Sequence, residues 1–208
     1  MFQTAAYINS RTGSKDLNRF DYLQLLVCEY EASLLYSNLP YSEPERHEKL
    51  ARLSNFAYDP INHDFLWQLN IVELFLDAIH ISSTDPIARE FAAGGLCNIC
   101  LDPRVAEYLT KTEPLSILCT ALQIGTIATI DSVLTTLWYL SQCGYHDRIV
   151  SIKSVMDYVE TASMLDIDEI KLETRDKHAE TRRSVLILVR LCKEDWQSCL
   201  KQLNLAQS

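Results

Sequence analysis

Three observations predict an all-α chain, folded as a right-handed solenoid of three to four helical repeats between helical caps. The first is self-similarity. Leu96-Cys97-Asn98-Ile99-Cys100-Leu101-Asp102-Pro103 repeats the pattern of Leu53-Ser54-Asn55-Phe56-Ala57-Tyr58-Asp59-Pro60 at an offset of 43 residues, with Leu, Asn, Asp and Pro aligned. The offset continues past the prolines: Phe65 meets Tyr108, Leu66 meets Leu109, Leu74 meets Ile117, Ala78 meets Ala121 and Ile79 meets Leu122. The second is that no strand alternation interrupts this period, and a repeat of roughly 40–47 residues built from helices marks a helical array. The third is composition. Only 5 Gly and 6 Pro in 208 residues leave few tight turns, while 48% hydrophobic and 23% charged residues are ordinary for a chain able to bury a core.

One repeat domain is expected over residues 19–208. Residues 1–18 carry Ser, Thr, Asn, Gly and Arg without periodicity and read as a tail, mobile or ordered only on a partner. From Phe20 onward Tyr22, Leu23, Leu26, Val27, Tyr30 and Leu34 recur at three and four, an amphipathic helix that caps the first repeat. Asn38-Leu39-Pro40-Tyr41 ends it. Ser42, Pro44 and Glu45 then form a capping-box start for a helix running to Ala57, with Leu50, Leu53 and Phe56 inward. Asp59-Pro60 stops it, because a residue before proline avoids the helical region.

A short helix over His63–Leu69 and a longer one over Ile71–Ile79 should follow, the second apolar nearly all round, as befits a helix between repeats. Asp85-Pro86 opens the next long helix, with Ile87, Phe91, Leu96 and Ile99 toward the core. Gly94-Gly95 in its middle costs about 1 kcal/mol per residue against Ala. Close packing on a neighbouring helix, or approach of a partner backbone, would each account for the pair. The short–long pattern repeats over Pro103–Leu109 and Pro114–Leu122. A third unit starts near Ile130, with Val133, Leu134, Leu137 and Leu140 inside, and breaks at Gly144 before shorter helices over Asp147–Tyr158. Residues 163–178 lapse into charge and read as a solvated loop or exposed helix. Val185, Leu186, Leu188, Val189 and Leu191 form the last long helix, with Trp196, Leu200 and Leu203 on a terminal cap.

A net charge of −9 and a pI near 5.0 argue against direct DNA binding and against broad RNA binding, which draw on Lys and Arg to displace counterions, and leave room only for a local basic patch. No signal peptide and no long apolar run is readable, so a membrane role is not expected. The seven Cys are scattered in apolar helical pattern and read as reduced thiols of a cytosolic or nuclear protein. Cys97-x-x-Cys100 has zinc-like spacing, but lies near a helix C-terminus with no second Cys or His pair beside it, so neither metal nor redox chemistry is expected. The five His are dispersed and no phosphate-binding glycine loop is present. The reading is of a non-enzyme without cofactors, with a monomer as the simplest state.

The three-helix unit with Leu-x-Asn in its long third helix resembles the armadillo repeat. Tyr22-Leu23-Gln24, the Leu53–Asn62 block, Leu74-Phe75-Leu76-Asp77 and the Glu90–Asn98 block resemble, in order and spacing, the armadillo repeat-containing protein 7 family. These blocks cover residues 20–103; beyond Pro103 the similarity is mainly helical patterning. The resemblance implies a non-catalytic nuclear adaptor that binds an extended peptide or helix of a protein partner, a splicing factor of the U2 particle among the candidates. In armadillo repeats the third-helix asparagine faces the concave groove and pairs with a peptide backbone; Asn55 and Asn98 match it. An amide suits that task because it offers both donor and acceptor. The alternative is that each Asn bonds its own repeat's loop. Later repeats depart from the pattern, with Tyr139 and Arg190 at the equivalent places, and the tryptophan of import receptors is replaced by Ala51, Gly94 and Thr135. A groove for nuclear-localisation signals is therefore not expected.

Helical spacing places Arg52, Asn55, Glu90, Gly94 and Asn98 along the groove, followed by Thr135, Trp138, Tyr139, Gln142, Arg183 and Arg190. Asp59 and Asp102 fit helix caps better than ligands. Of Trp138 and Tyr139, one should enter the core and one stay at the surface, where it would be a hot spot. Two rival functions remain open at this level: an RNP-surface binder, and a structural subunit whose outer face is permanently buried.

Overall fold

The computed structural model describes residues 17–35, 42–81, 85–164 and 179–206, and every regular element among them is helical. The tail over 1–16 and most of the charged 163–178 stretch lie outside the described residues. The chain forms two compact units, 1–105 and 106–208.

In the first unit, Asn18 starts α1 (Arg19–Leu35): its side-chain oxygen accepts from the Asp21 N–H at 2.9 Å and its amide nitrogen donates to Asp21 at 2.8 Å. Leu23, Leu26, Val27 and Tyr30 form the buried stripe, while Leu34, expected with them, is exposed. The Glu45 carboxylate begins α2 (Glu43–Ala57) by accepting from the Ser42 N–H at 2.6 Å and hydroxyl at 3.0 Å. Those bonds hold Glu45 below the ordinary carboxylate range. Leu50, Leu53 and Ala57 are fully buried; Phe56 is half-buried, edge-on to Tyr22 of α1 at 5.8 Å.

Asp59 accepts from the Ile61 N–H at 3.3 Å and starts a 3₁₀ turn (Pro60–Asn62) that leads into α3 (His63–Gln68). Asn70, at φ 53°, turns the chain into α4; the left-handed region suits Asn better than most residues. In α4 (Ile71–Ile81), Ile71, Val72, Leu74, Phe75, Leu76, Ala78 and Ile79 are all buried. Asp85 caps α5 (Pro86–Ile99) by accepting from the Ala88 N–H at 3.0 Å.

The core face of α5 differs from the expectation. Ile87 is 47% exposed; Ala88, Ala92, Ala93 and Gly95 take its place alongside Leu96 and Ile99. The reason is steric: a Cβ on Gly95 would lie 2.5 Å from the Phe75 ring, so only a small-residue face lets α5 sit this close to α4. The α2–α5 contact is polar as well. The Ser54 hydroxyl donates to the Phe91 carbonyl at 2.6 Å, with the Leu50 carbonyl of its own helix 2.9 Å away.

The boundary between the units falls within α6 (Pro103–Leu109), which Asp102 caps by accepting from the Arg104 N–H at 3.0 Å. In the second unit α7 spans Thr112–Ile124. Helix α8 (Ile127–Leu140) begins three residues before the expected Ile130, because Thr126 caps it by accepting from the Thr129 N–H at 3.3 Å. Its inner stripe Val133, Leu134, Leu137 and Leu140 is fully buried. A wide turn over Ser141–Tyr145 ends with Gly144 at φ 95°, a conformation glycine reaches without steric cost. Short helices α9 (His146–Val150) and α10 (Lys153–Ser163) follow.

The final helix α11 runs unbroken over Ala179–Ala206. No separate terminal cap helix exists among the described residues: Trp196 belongs to α11 and is fully buried. Leu200 and Leu203 also fall in α11, with side chains outside the described set. Leu191 is 49% exposed, and Val185, Leu186, Val189, Cys192 and Trp196 form the buried stripe.

Candidate protein-binding faces

In the first unit the long helices α2 and α5 carry five of the expected groove residues. Asn55 is exposed near the end of α2, and its amide has no hydrogen-bond partner among the described residues. Its repeat equivalent Asn98 is half-buried and donates from Nδ2 to the Ser54 carbonyl at 3.0 Å. That bond crosses from one long helix to the other, so Asn98 bonds neither solvent alone nor its own loop. The carbonyl it holds belongs to the peptide linking Ser54 to Asn55. The Asn98 Oδ1 is left as an acceptor.

Gly94 and Gly95 divide the two readings between them. Gly95 is closed against Phe75, whereas a Cβ on Gly94 would meet nothing within 4 Å. Glu90 is half-buried on the same stripe of α5, and Ile87 and Leu101, 47% and 55% exposed, sit at its ends. Arg52 is exposed but engaged, donating to the Tyr22 hydroxyl at 3.1 Å and to Glu48 at 2.5 Å. Sequence periodicity missed that tie to α1, since nothing local to α2 signals it.

Asp59 and Asp102 are caps, as the spacing favoured. Asp102 does more: the Arg104 guanidinium donates to both its oxygens, at 3.0 and 2.7 Å, reaches Asp64 at 2.8 Å and lies 5.5 Å from the Trp67 ring centre. These bonds from Arg104 hold the Asp102 carboxyl below its usual range, against its own burial. His63 stands 3.8 Å from Asp102 through Nδ1, and its Nε2 donates to the Ala57 carbonyl at 3.0 Å. The whole set latches consecutive short helices together.

A second latch joins α2 to the α5 cap: His47 Nε2 lies 2.8 Å from Asp85. Burial opposes ionisation of Asp85, but the Ala88 N–H and His47 outweigh it and its pKa is lowered. Glu43, His47 and Asp85 bring ligand-type atoms within 4.8 Å of one another. The direct His47–Asp85 bond and the capping role of Asp85 account for that arrangement. Between α1 and α4 lies a cleft of about 230 Å³ whose wall includes Glu31, Glu73 and Asp77, with Leu34, Leu69 and Leu74, and no Lys or Arg.

In the second unit Thr135 is half-buried on α8. Trp138 and Tyr139 are not divided between core and surface: both are half-buried, their rings 5.5 Å apart and tilted by 52°. Adjacent positions on a helix lie about 100° apart, so two large rings can straddle one boundary and cover each other. Gln142 is exposed and donates to Asp195 of α11 at 3.0 Å, where His146 also approaches at 3.3 Å. Arg190 is exposed on α11; Arg183 falls in the same helix, its side chain outside the described set.

No family model matches the chain. Armadillo repeat-containing protein 7 of Mus musculus is 36% identical to it over 141 residues, 67% of each chain. The chain belongs to the armadillo repeat-containing protein 7 family. Its fold class is accordingly the all-α armadillo-type solenoid, and membership makes it a repeat-based protein-interaction scaffold. Leu53-x-Asn55 lies on α2 and Leu96-x-Asn98 on α5. Of the described residues, no helix is long and apolar enough to cross a membrane.

Proposed function

We propose that the chain is a non-catalytic adaptor of the nucleus that binds a segment of a protein partner along the α2–α5 face, within complexes of the splicing machinery. One observation carries the reading: Asn98 donates to the carbonyl of Ser54, the residue before the exposed Asn55, and a Cβ on Gly94 would meet nothing within 4 Å. An amide donor, an amide acceptor and room for a main chain are what sequence-tolerant peptide binding needs. The exposed Ile87 and Leu101 at either end supply apolar area for flanking side chains. Family membership supports a scaffold role; the splicing setting and the nuclear location rest on the resemblance of the repeat blocks alone.

The test is a tagged pull-down from nuclear extract, with and without RNase, comparing wild type with the Asn55→Ala/Asn98→Ala double variant. RNase-resistant splicing proteins lost from the variant are the expected outcome. Their retention by the variant would move binding to another surface. Recovery of RNase-sensitive material alone would replace the adaptor with an RNP-surface binder.

A further inference from the structure

The second unit contains a cleft of about 600 Å³ between the start of α7 and the segment joining α9 to α10. Lys111 and Arg148 line it and no carboxylate does, in a chain of net charge −9. Glu107, Glu113 and Asp147 are close in sequence, yet none contributes to the wall.

The two cations are supported by neutral groups. The Lys111 ammonium lies 4.8 Å from the Tyr108 ring centre. The Arg148 guanidinium lies 5.3 Å from the Tyr145 ring centre and donates to the Thr110 hydroxyl at 2.9 Å. Rings and a hydroxyl orient these side chains without neutralising them, and neither cation has a carboxylate partner among the described residues. The Thr112 and Ser116 hydroxyls add donors to the rim, and Leu115 and Ile152 add apolar wall.

We infer that this cleft receives a phosphoserine or phosphothreonine of the bound protein segment. The inference rests on the adaptor reading for the source of the phosphate, and on the cleft's own chemistry for the phosphate itself. A phosphomonoester carries close to two negative charges and three acceptor oxygens, enough to engage an Arg fork, a Lys point charge and hydroxyl donors together. A carboxylate would leave donors idle, and the volume is in the range of sites that enclose a whole side chain with adjoining backbone. A nucleic-acid strand places a charge at every residue, and beyond the two cations it would meet an acidic protein. A single dianion concentrated at one point does not.

The test is an amide chemical-shift titration of the full ¹⁵N-labelled chain. Its probes are a blocked Ala-Ala-phosphoserine-Ala-Ala peptide, the same peptide with plain serine, inorganic phosphate, and a short oligouridylate. Saturable shifts confined to residues 110–116 and 148–154, produced by the phosphopeptide and not by the serine peptide, are expected. Lys111→Glu should weaken that binding at least about tenfold while leaving the fold intact, because a carboxylate is favoured at a helix start. Arg148→Lys, which keeps charge but loses the fork, should weaken it several-fold.

Absence of saturable shifts, or shifts lying elsewhere, would overturn the site. Equal response to inorganic phosphate would overturn the peptide part, and tighter response to oligouridylate would replace it with nucleic acid. The two readings fail separately. Local shifts that are absent while the Asn-dependent pull-down holds would remove this inference alone; shifts without any partner in the pull-down would remove the adaptor and leave a phosphate site.

Discussion

Both compact units tie helices together with polar side chains, but they line their clefts with opposite charge. In the first, polar side chains are spent on joining repeats: Ser54 to Phe91, Asn98 to Ser54, His47 to Asp85, and Arg104 to both Asp102 and Asp64. In the second, large apolar groups such as Leu137, Val189 and Trp196 fill the core, Gln142 and His146 reach Asp195, and Lys111 and Arg148 line a cleft with no ionic partner among the described residues. The cleft of the first unit is walled by carboxylates and that of the second by cations. A repeat therefore specifies where helices go, and leaves the polar positions between them free to become either latch or binding group.

The largest expected effect falls on the apolar side of this contrast. Trp196→Ala should cost about 3–5 kcal/mol, read as a shift of the urea midpoint, because a fully buried indole leaves a cavity that a single long helix cannot close. Next comes the glycine pair. Gly95→Ala should destabilise by about 1–3 kcal/mol through its clash with Phe75, whereas Gly94→Ala should be neutral or stabilise by up to about 1 kcal/mol from helix propensity. Equal losses at the two would show that the space above Gly94 is filled.

The asparagines sharpen the same comparison at lower cost. Asn98→Ala should lose about 1 kcal/mol with its bond to the Ser54 carbonyl, and Asn55→Ala should stay within about 0.5 kcal/mol. Melting of the two single variants separates a latch from a free binding group, and a drop at Asn55 equal to that at Asn98 would assign both to the fold.

The acid response should isolate one latch. Asp102 has its pKa lowered in the folded chain, chiefly by Arg104, so its contribution is present above the unfolded carboxylate value, near 4, and is lost as pH falls through the lowered one. Asp102→Asn should thus cost stability at pH 7 and narrow the gap from wild type in strong acid. A constant gap across that range would contradict the linkage.

The smallest effect concerns reactivity rather than stability. Cys28 and Cys143 are exposed and should alkylate first in the native chain. Cys192, buried and with its thiol pushed up to about 12, should react only after unfolding.

Helix positions were legible because their determinants are local. Ser42, Asp59 and Asp85 act as starts through bonds to residues two or three positions on, and Gly144 takes the positive φ that ends a helix. Orientation between helices is not local. Apolar character alone points Ile87 inward, and adjacency alone divides Trp138 from Tyr139; in each case the neighbouring helix decides otherwise. Asn18 fell in the supposed tail although it caps α1, since a cap is set by the helix after it. The candidate site was legible only as a list of positions: which amide is bound and which glycine is closed depend on groups in other helices, Ser54 for Asn98 and Phe75 for Gly95.

The sequence by itself determined the all-α class, the repeat and its period, the helix starts at Ser42, Asp59 and Asp85, and the family, because apolar periodicity, capping side chains and proline act over a few residues and recur at a fixed offset. Only the tertiary structure decided that Asn98 is a latch while the Asn55 amide has no partner among the described residues, that Gly95 is closed and Gly94 open, and that Lys111 and Arg148 share one cleft. Those outcomes turn on distances of about 3 Å between separate helices, within hydrogen-bond and van der Waals reach. No spacing along a single helix encodes them.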